Sequence, residues 1–150
     1  MKRIHKAILV RVLIVSAFLL SGCFALVRID LAGTWQGDLL WTTGPSSGFS
    51  SPVFLDIVHE NRDVSGTVTL MGPGSQPFDL TISSGRTSAR TIRIEAFGSI
   101  DTISPPLAVT IRLEGDFDET SMSGTGSQTF GGSTYEFTWD LVRLSGPPES

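Results

Sequence analysis

Few side chains in this sequence have the chemistry for catalysis or metal binding, and their spacing does not assemble them. His59 is the only histidine apart from His5 near the start. A general base needs a nucleophile and an orienting carboxylate, and none of the many serines lies in a nucleophile-elbow pattern. His59 shares parity with Val53, Leu55 and Ile57 and is followed by Glu60. It reads as a rim histidine hydrogen-bonded to a turn. Asp116, Asp118 and Glu119 offer oxygens suited to calcium, but without the alternating ligands and central glycine of a calcium loop, so a solvated hairpin tip is expected. Asp56 and Asp140 would serve a hydrolase only if they met inside a cavity, and parity turns Asp140 outward, opposite to Trp139. Arg90, Arg93 and Arg112 with Glu95 and Glu114 read as cross-strand ion pairs on an outer face. No catalytic residue and no metal site is expected, which leaves a hydrolase as the least favoured class.

The elements that carry these groups begin with an address. Lys2, Arg3, Lys6 and Arg11 precede an apolar run from Val12 to Leu20, interrupted by Ser16. A basic start, a short apolar stretch and then small residues make a secretory signal. The run has about half of the ~20 residues a spanning helix needs. Leu20-Ser21-Gly22-Cys23 follows, and it resembles the lipobox of bacterial lipoproteins. The resemblance covers the first 23 residues. It implies an exported protein cut before Cys23, with a diacylglycerol on the thiol, an acyl group on the new amino terminus and a membrane anchor made by those chains. Residues 1–22 would be the signal peptide, with a signal helix, and residues 23–30 a lipidated tether. Position 24 is Phe rather than the Asp that retains such proteins at the inner membrane of enteric bacteria, so the outer membrane is implied where the host has two membranes.

Cys23 is the only cysteine, so the domain beyond it has no internal disulfide and no thiolate ligands for zinc. Both lysines, Lys2 and Lys6, fall in the signal, which rules out Schiff-base chemistry and a P-loop in the remaining chain. That chain has seven arginines against fifteen acids, a net charge of −8. Phosphate contacts dominate nucleic-acid affinity, so no nucleic-acid partner is expected. No cofactor is expected apart from the covalent lipid.

From residue 31 the pattern has period two. Short runs of β-branched, aromatic and Thr residues are separated by Gly, Pro, Ser, Asn and Asp. Eight strands are predicted, at 33–41, 52–60, 64–71, 77–83, 89–97, 107–115, 121–130 and 134–144. Phe78, Leu80 and Ile82 alternate with Asp79 and Thr81, and Tyr135, Phe137, Trp139 and Leu141 alternate with Glu136, Thr138 and Asp140. Such alternation belongs to antiparallel sheet covered on one face. Val64-Ser65-Gly66-Thr67 and Met122-Ser123-Gly124-Thr125 echo one another after polar turns, which reads as hairpins reusing one local solution. The fold class is all-β, an eight-stranded antiparallel up-and-down barrel over residues 31–145, with a two-sheet sandwich as the alternative. Residues 146–150 are expected to be a disordered tail.

Gly33-Thr34-Trp35 on the first strand and Arg143 on the last resemble the lipocalin and calycin-like barrels. The resemblance implies that Trp35 closes one end and that Arg143 packs across its indole as a structural plug. No Thr-Asp-Tyr motif or long C-terminal helix accompanies them. The leading expectation is a non-enzymatic, lipid-anchored envelope barrel that holds a small apolar ligand, lined by Trp35, Leu39, Trp41, Phe78, Ile94, Ile111, Phe137 and Trp139. The alternative is an interaction module with a filled core that binds an envelope protein through loops 42–51, 71–76 and 98–106, marked by exposed Phe49, Met71 or Ile100.

Overall fold

A computed structural model describes residues 28–72, 75–101 and 104–146. The predicted signal peptide, Cys23, the start of the tether and the tail beyond Gly146 lie outside the described residues. Eight strands follow one another: β1 (Gly33–Trp41), β2 (Ser50–Glu60), β3 (Asp63–Met71), β4 (Pro77–Ser88), β5 (Thr91–Ile100), β6 (Leu107–Phe117), β7 (Ser121–Phe130) and β8 (Ser133–Ser145). Each pairs antiparallel with the next, and β8 returns to β1, with Trp35 opposite Arg143 and Trp41 opposite Phe137. The sheet is a closed barrel, so the sandwich alternative is set aside. Closure leaves no unpaired strand edge to template aggregation.

The period-two pattern decides what faces inward. Leu80 and Ile82 of β4, Ile92, Ile94 and Ala96 of β5, Val109, Ile111 and Leu113 of β6 and Phe137, Trp139 and Leu141 of β8 all enter one core. The outer face carries Thr67, Thr69, Arg93, Glu95, Thr110, Arg112, Glu136 and Thr138. Leu40, Val58, Phe97, Val142 and Leu144 also stand exposed on that face. Among the described residues, no helix is long and apolar enough to cross a membrane.

Six strands differ from the expected boundaries, most by one to three residues, and at β4 and β5 the cause is visible. Ile82 pairs with Ala96 but Ser84 pairs with Glu95, so Ser83 is the extra residue of a β-bulge. A bulge inverts parity beyond it, and the buried positions become Gly85 and Thr87. The apolar alternation that ended the fourth strand at 83 therefore stops at the bulge while the strand continues to Ser88. Ala89, at φ 54°, and Arg90 form the turn into β5, which moves Arg90 off the strand. The repeated Ser-Gly-Thr segments share a close strand approach but not one backbone solution, since Gly66 takes φ 127° beside a register shift and Gly124 lies in regular ladder. A Cβ at Gly66 would lie 1.9 Å from the Asp56 carbonyl oxygen, and one at Gly124 would lie 2.1 Å from that of Glu114. Each glycine lets a neighbouring strand approach.

The two ends of the barrel differ. At one end the connections are tight, at 61–62, 89–90 and 118–120, and the chain enters β1. At the other the connections 42–49, 72–76 and 101–106 are longer, with a short turn at 131–132. Loops on a rigid scaffold are the usual carriers of binding, so the second end is the natural mouth.

Candidate functional site: a plugged base and an open mouth

The segment before β1 closes the base. Leu31 is fully buried inside the barrel and Ile29 packs against the same core. The Trp35 indole Nε1 donates to the Leu31 carbonyl at 2.9 Å. Arg143 lies over the Trp35 ring, 4.6 Å from its centroid, and donates through Nη2 to the Asp30 carbonyl. A guanidinium over an indole contributes about 0.5–2 kcal/mol. Its Nε is buried with no partner among the described residues, which offsets part of that gain.

His59 belongs to the same base. The Leu31 N–H donates to Nδ1 at 3.1 Å, and Nε2 lies 3.2 Å from the Thr87 hydroxyl. Thr87 in turn lies within 3.4 Å of the Arg62 carbonyl. The roles are consistent only if the imidazole is neutral with its proton on Nε2, since an Nδ1 that accepts from Leu31 cannot also donate to Asp30 Oδ1 at 3.4 Å. Both ring nitrogens are therefore engaged in holding the plug. The expected bond to a turn is not direct: His59 grips the entering chain and Thr87 of β4, and only Thr87 reaches the Arg62 turn.

The remaining polar candidates are accounted for on the outside. Asp118 accepts from the Thr120 and Ser121 backbone N–H groups, each at 2.7 Å, and from both their hydroxyls. These bonds, led by the two backbone ones, hold its carboxyl down at about 2 from a usual 3.8. With its oxygens so engaged it is a turn cap, and among the described residues no group of three His, Cys, Asp or Glu side chains could hold a metal. Arg93 meets Glu114 at 2.8 Å and Arg112 meets Glu95 at 3.2 Å, both as directly opposed pairs across β5 and β6. The hydrogen bond that Arg93 donates to Glu114, aided by the Glu114 charge, raises the Arg93 pKa, and Arg93 lowers that of Glu114 in return. Asp56 is exposed and accepts from the Thr34 hydroxyl, while Asp140 stands outward opposite Asp38. The two carboxylates do not meet.

The mouth is hollow. A cavity of about 300 Å³ opens there, lined by Leu39, Trp41, Leu70, Phe78, Leu107 and Gln128 together with rim residues from the loops. Its size sits at the lower bound of ligand pockets, roughly 300 Å³. Trp41 stands edge-on to Phe137, with ring centroids 5.2 Å apart, and its Nε1 donates to Ser51 Oγ. Phe130 and Tyr135 are paired at 5.1 Å. Of the eight residues expected to line a ligand, Leu39, Trp41 and Phe78 border this cavity. Trp35, Ile94, Ile111, Phe137 and Trp139 are buried in the core and do not line it. Phe49 and Met71 are exposed at the rim as the interaction reading requires, whereas Ile100 is buried.

Gln128 escaped the sequence reading. Its strand, Ser121–Phe130, is mostly small and polar, so its inward face is weakly marked. The available signal was parity: Gln128 lies in step with Met122 and Phe130. Likewise nothing in the spacing announced that Leu31 would turn back into the barrel. No protein-family model, no curated protein and no solved structure matches the chain.

Proposed function

We propose that this protein is a lipid-anchored component of a bacterial cell envelope that binds one small, mainly apolar molecule in the mouth of its barrel, without catalysing a reaction. The observation that carries the binding half is the cavity of about 300 Å³ among Leu39, Trp41, Leu70 and Phe78. A barrel of eight strands encloses room for side chains or for one small ligand; here the base is filled with side chains and the mouth is not. The anchoring half rests on Leu20-Ser21-Gly22-Cys23 behind a basic, apolar start. With a diacylglycerol and an N-acyl chain on Cys23, the outer membrane is the destination in a host with two membranes. Four residues lie between Cys23 and Arg28, and the five steps from one to the other reach at most roughly 17 Å. The chain enters at the plugged base, so the anchor would hold the base toward the membrane and turn the mouth away from it.

The experiment is native mass spectrometry of residues 23–150 carrying Cys23→Ser, incubated with a lipid and metabolite extract. A retained small-molecule mass that is lost when Trp41 and Phe78 are both changed to alanine supports the reading. A bare protein mass refutes the binding half. Metabolic labelling of the full chain with an alkyne fatty acid tests the anchor, and label that persists in Cys23→Ser refutes it.

A second reading is favoured by one observation. Phe49 is 68% exposed on the loop between β1 and β2, beside the mouth. A large aromatic side chain held in water at a rim is a feature of protein-binding surfaces. In that reading the rim docks an envelope protein, and Phe49→Ser abolishes its capture while leaving small-molecule binding intact.

A further inference from the structure

Thr87 and Gln128 are polar residues buried in the described barrel, beside the buried His59 ring. Thr87 is satisfied, by His59 and by the Arg62 carbonyl. Gln128 is 7% exposed, points inward from β7 and borders the mouth cavity, and its amide, with no hydrogen bond found to a described protein group, is reached from the open cavity rather than sealed off. Its ladder neighbours are Ile111 on β6 and Tyr135 on β8. An amide carries two N–H donors and a carbonyl acceptor, and burying such a group without partners is costly. The rest of the lining is apolar or uncharged, with hydroxyls only toward the rim, on Thr43, Ser46, Ser51 and Tyr135. No Asp, Glu, Lys, Arg or His lies among the lining residues.

We infer that Gln128 is the recognition group of the mouth, and that the ligand is an uncharged molecule with an apolar body and one hydrogen-bonding head, such as a carboxamide, ketone, ester or alcohol, seated on the Gln128 amide. The inference rests on the mouth being a binding site. Its logic is one of exchange. Water can serve the amide when the cavity is open to solvent. A ligand that fills the cavity expels that water and must replace its hydrogen bonds or forfeit affinity. A purely apolar molecule leaves the amide unpaired. A carboxylate or ammonium brings a charge into a lining that offers no counter-charge, and its desolvation is not repaid. The acidic balance of the domain, −8 beyond the proposed signal, adds a long-range bias against anions. Trp41 and Phe78 supply flat apolar surface for the body of the ligand, and Gln128 fixes which end enters.

Three probes on one skeleton test this: naphthalene, its carboxamide and its carboxylate, titrated calorimetrically into residues 23–150 (Cys23→Ser) near neutral pH. Wild type is expected to bind the carboxamide roughly tenfold or more tighter than naphthalene, and the carboxylate no better than naphthalene. Gln128→Leu is expected to bind naphthalene at least as well as wild type and to lose the carboxamide preference. Gln128→Met, unbranched and of similar length, repeats the measurement should the leucine variant fold poorly. A wild-type protein that binds naphthalene and its carboxamide equally overturns the role of Gln128 and leaves the binding cavity standing, as does a preference that survives in both variants. If none of the three probes binds wild type, the mouth is not a ligand site and both proposals fall together.

Discussion

Truncating Leu31 to alanine tests the plugged base directly. Leu31 is fully buried although it precedes the first strand. Its place is held by three backbone bonds: its N–H to His59, its carbonyl from the Trp35 indole, and the neighbouring Asp30 carbonyl from Arg143. Leu→Ala at a buried site costs about 2–5 kcal/mol, more where the cavity cannot collapse. The plug is a chain segment free to settle inward, so the lower part of that range applies, about 2–3 kcal/mol. In a domain of this size each kcal/mol moves the melting temperature by about 3–5 °C, so a fall of roughly 10 °C is expected in a calorimetric scan. Leu40→Ala is the control. It lies on β1 but is 47% exposed, and should change stability by less than ~0.5 kcal/mol. Calorimetric binding at the mouth should be unchanged in Leu31→Ala, because separated sites act additively. A melting temperature within about 2 °C of wild type would mean that residues 28–32 do not occupy the base in solution, and the account of the plug would fail with them.

Further outcomes follow from other parts of the barrel. A Cβ at Gly126 would lie 2.4 Å from Phe137 Cε2 and 2.5 Å from the Arg112 carbonyl oxygen, so Gly126→Ala should overpack the β7–β8 face and cost about 1–3 kcal/mol in urea unfolding. The Asp118 carboxyl is lowered to about 2 by its turn hydrogen bonds. A depressed acid contributes stability above its unfolded pKa of about 4 and loses it as pH falls toward the folded value. The stability gap between wild type and Asp118→Ala should therefore be full at neutral pH, shrink below about pH 4 and close near pH 2. An unchanged gap across that range would contradict the turn-cap assignment. Glu114→Gln breaks an ion pair whose side chains are 74% and 64% exposed; solvent and salt screen such pairs, and the urea midpoint should stay within error at high salt. His59→Ala should lower the melting temperature by loosening the Leu31 N–H and Thr87 together, and any hydrolytic turnover that survived it would exclude the only candidate base.

The sequence by itself settled the local grammar. Alternation of Phe78, Leu80 and Ile82 with Asp79 and Thr81, and its equivalents elsewhere, marks strands and assigns their faces, because successive side chains in a strand point to opposite sides. The directly opposed Arg93–Glu114 and Arg112–Glu95 pairs were legible for the same reason. The facing of Trp35 and Arg143 was suggested by a resemblance at the two ends of the chain, and their 4.6 Å contact depends on β1 meeting β8. That meeting is a tertiary fact. Barrel and sandwich require the same alternation, and only the ladder from Trp35–Arg143 to Trp41–Phe137 chooses between them. The bulge at Ser83 was invisible because one inserted residue shifts the phase without changing composition. Where the interior is solid and where it is hollow was equally hidden. Parity says that Leu39, Trp41, Phe137 and Trp139 point inward, but whether inward side chains touch depends on how eight strands stagger across the barrel. Leu31 fills the base because the preceding chain folds back on His59 and Arg143, and the mouth has no such segment among the described residues. Gln128 gains its meaning only there: on a strand it is one polar residue among many, and above the filled half of a closed barrel it is the polar group the cavity must satisfy.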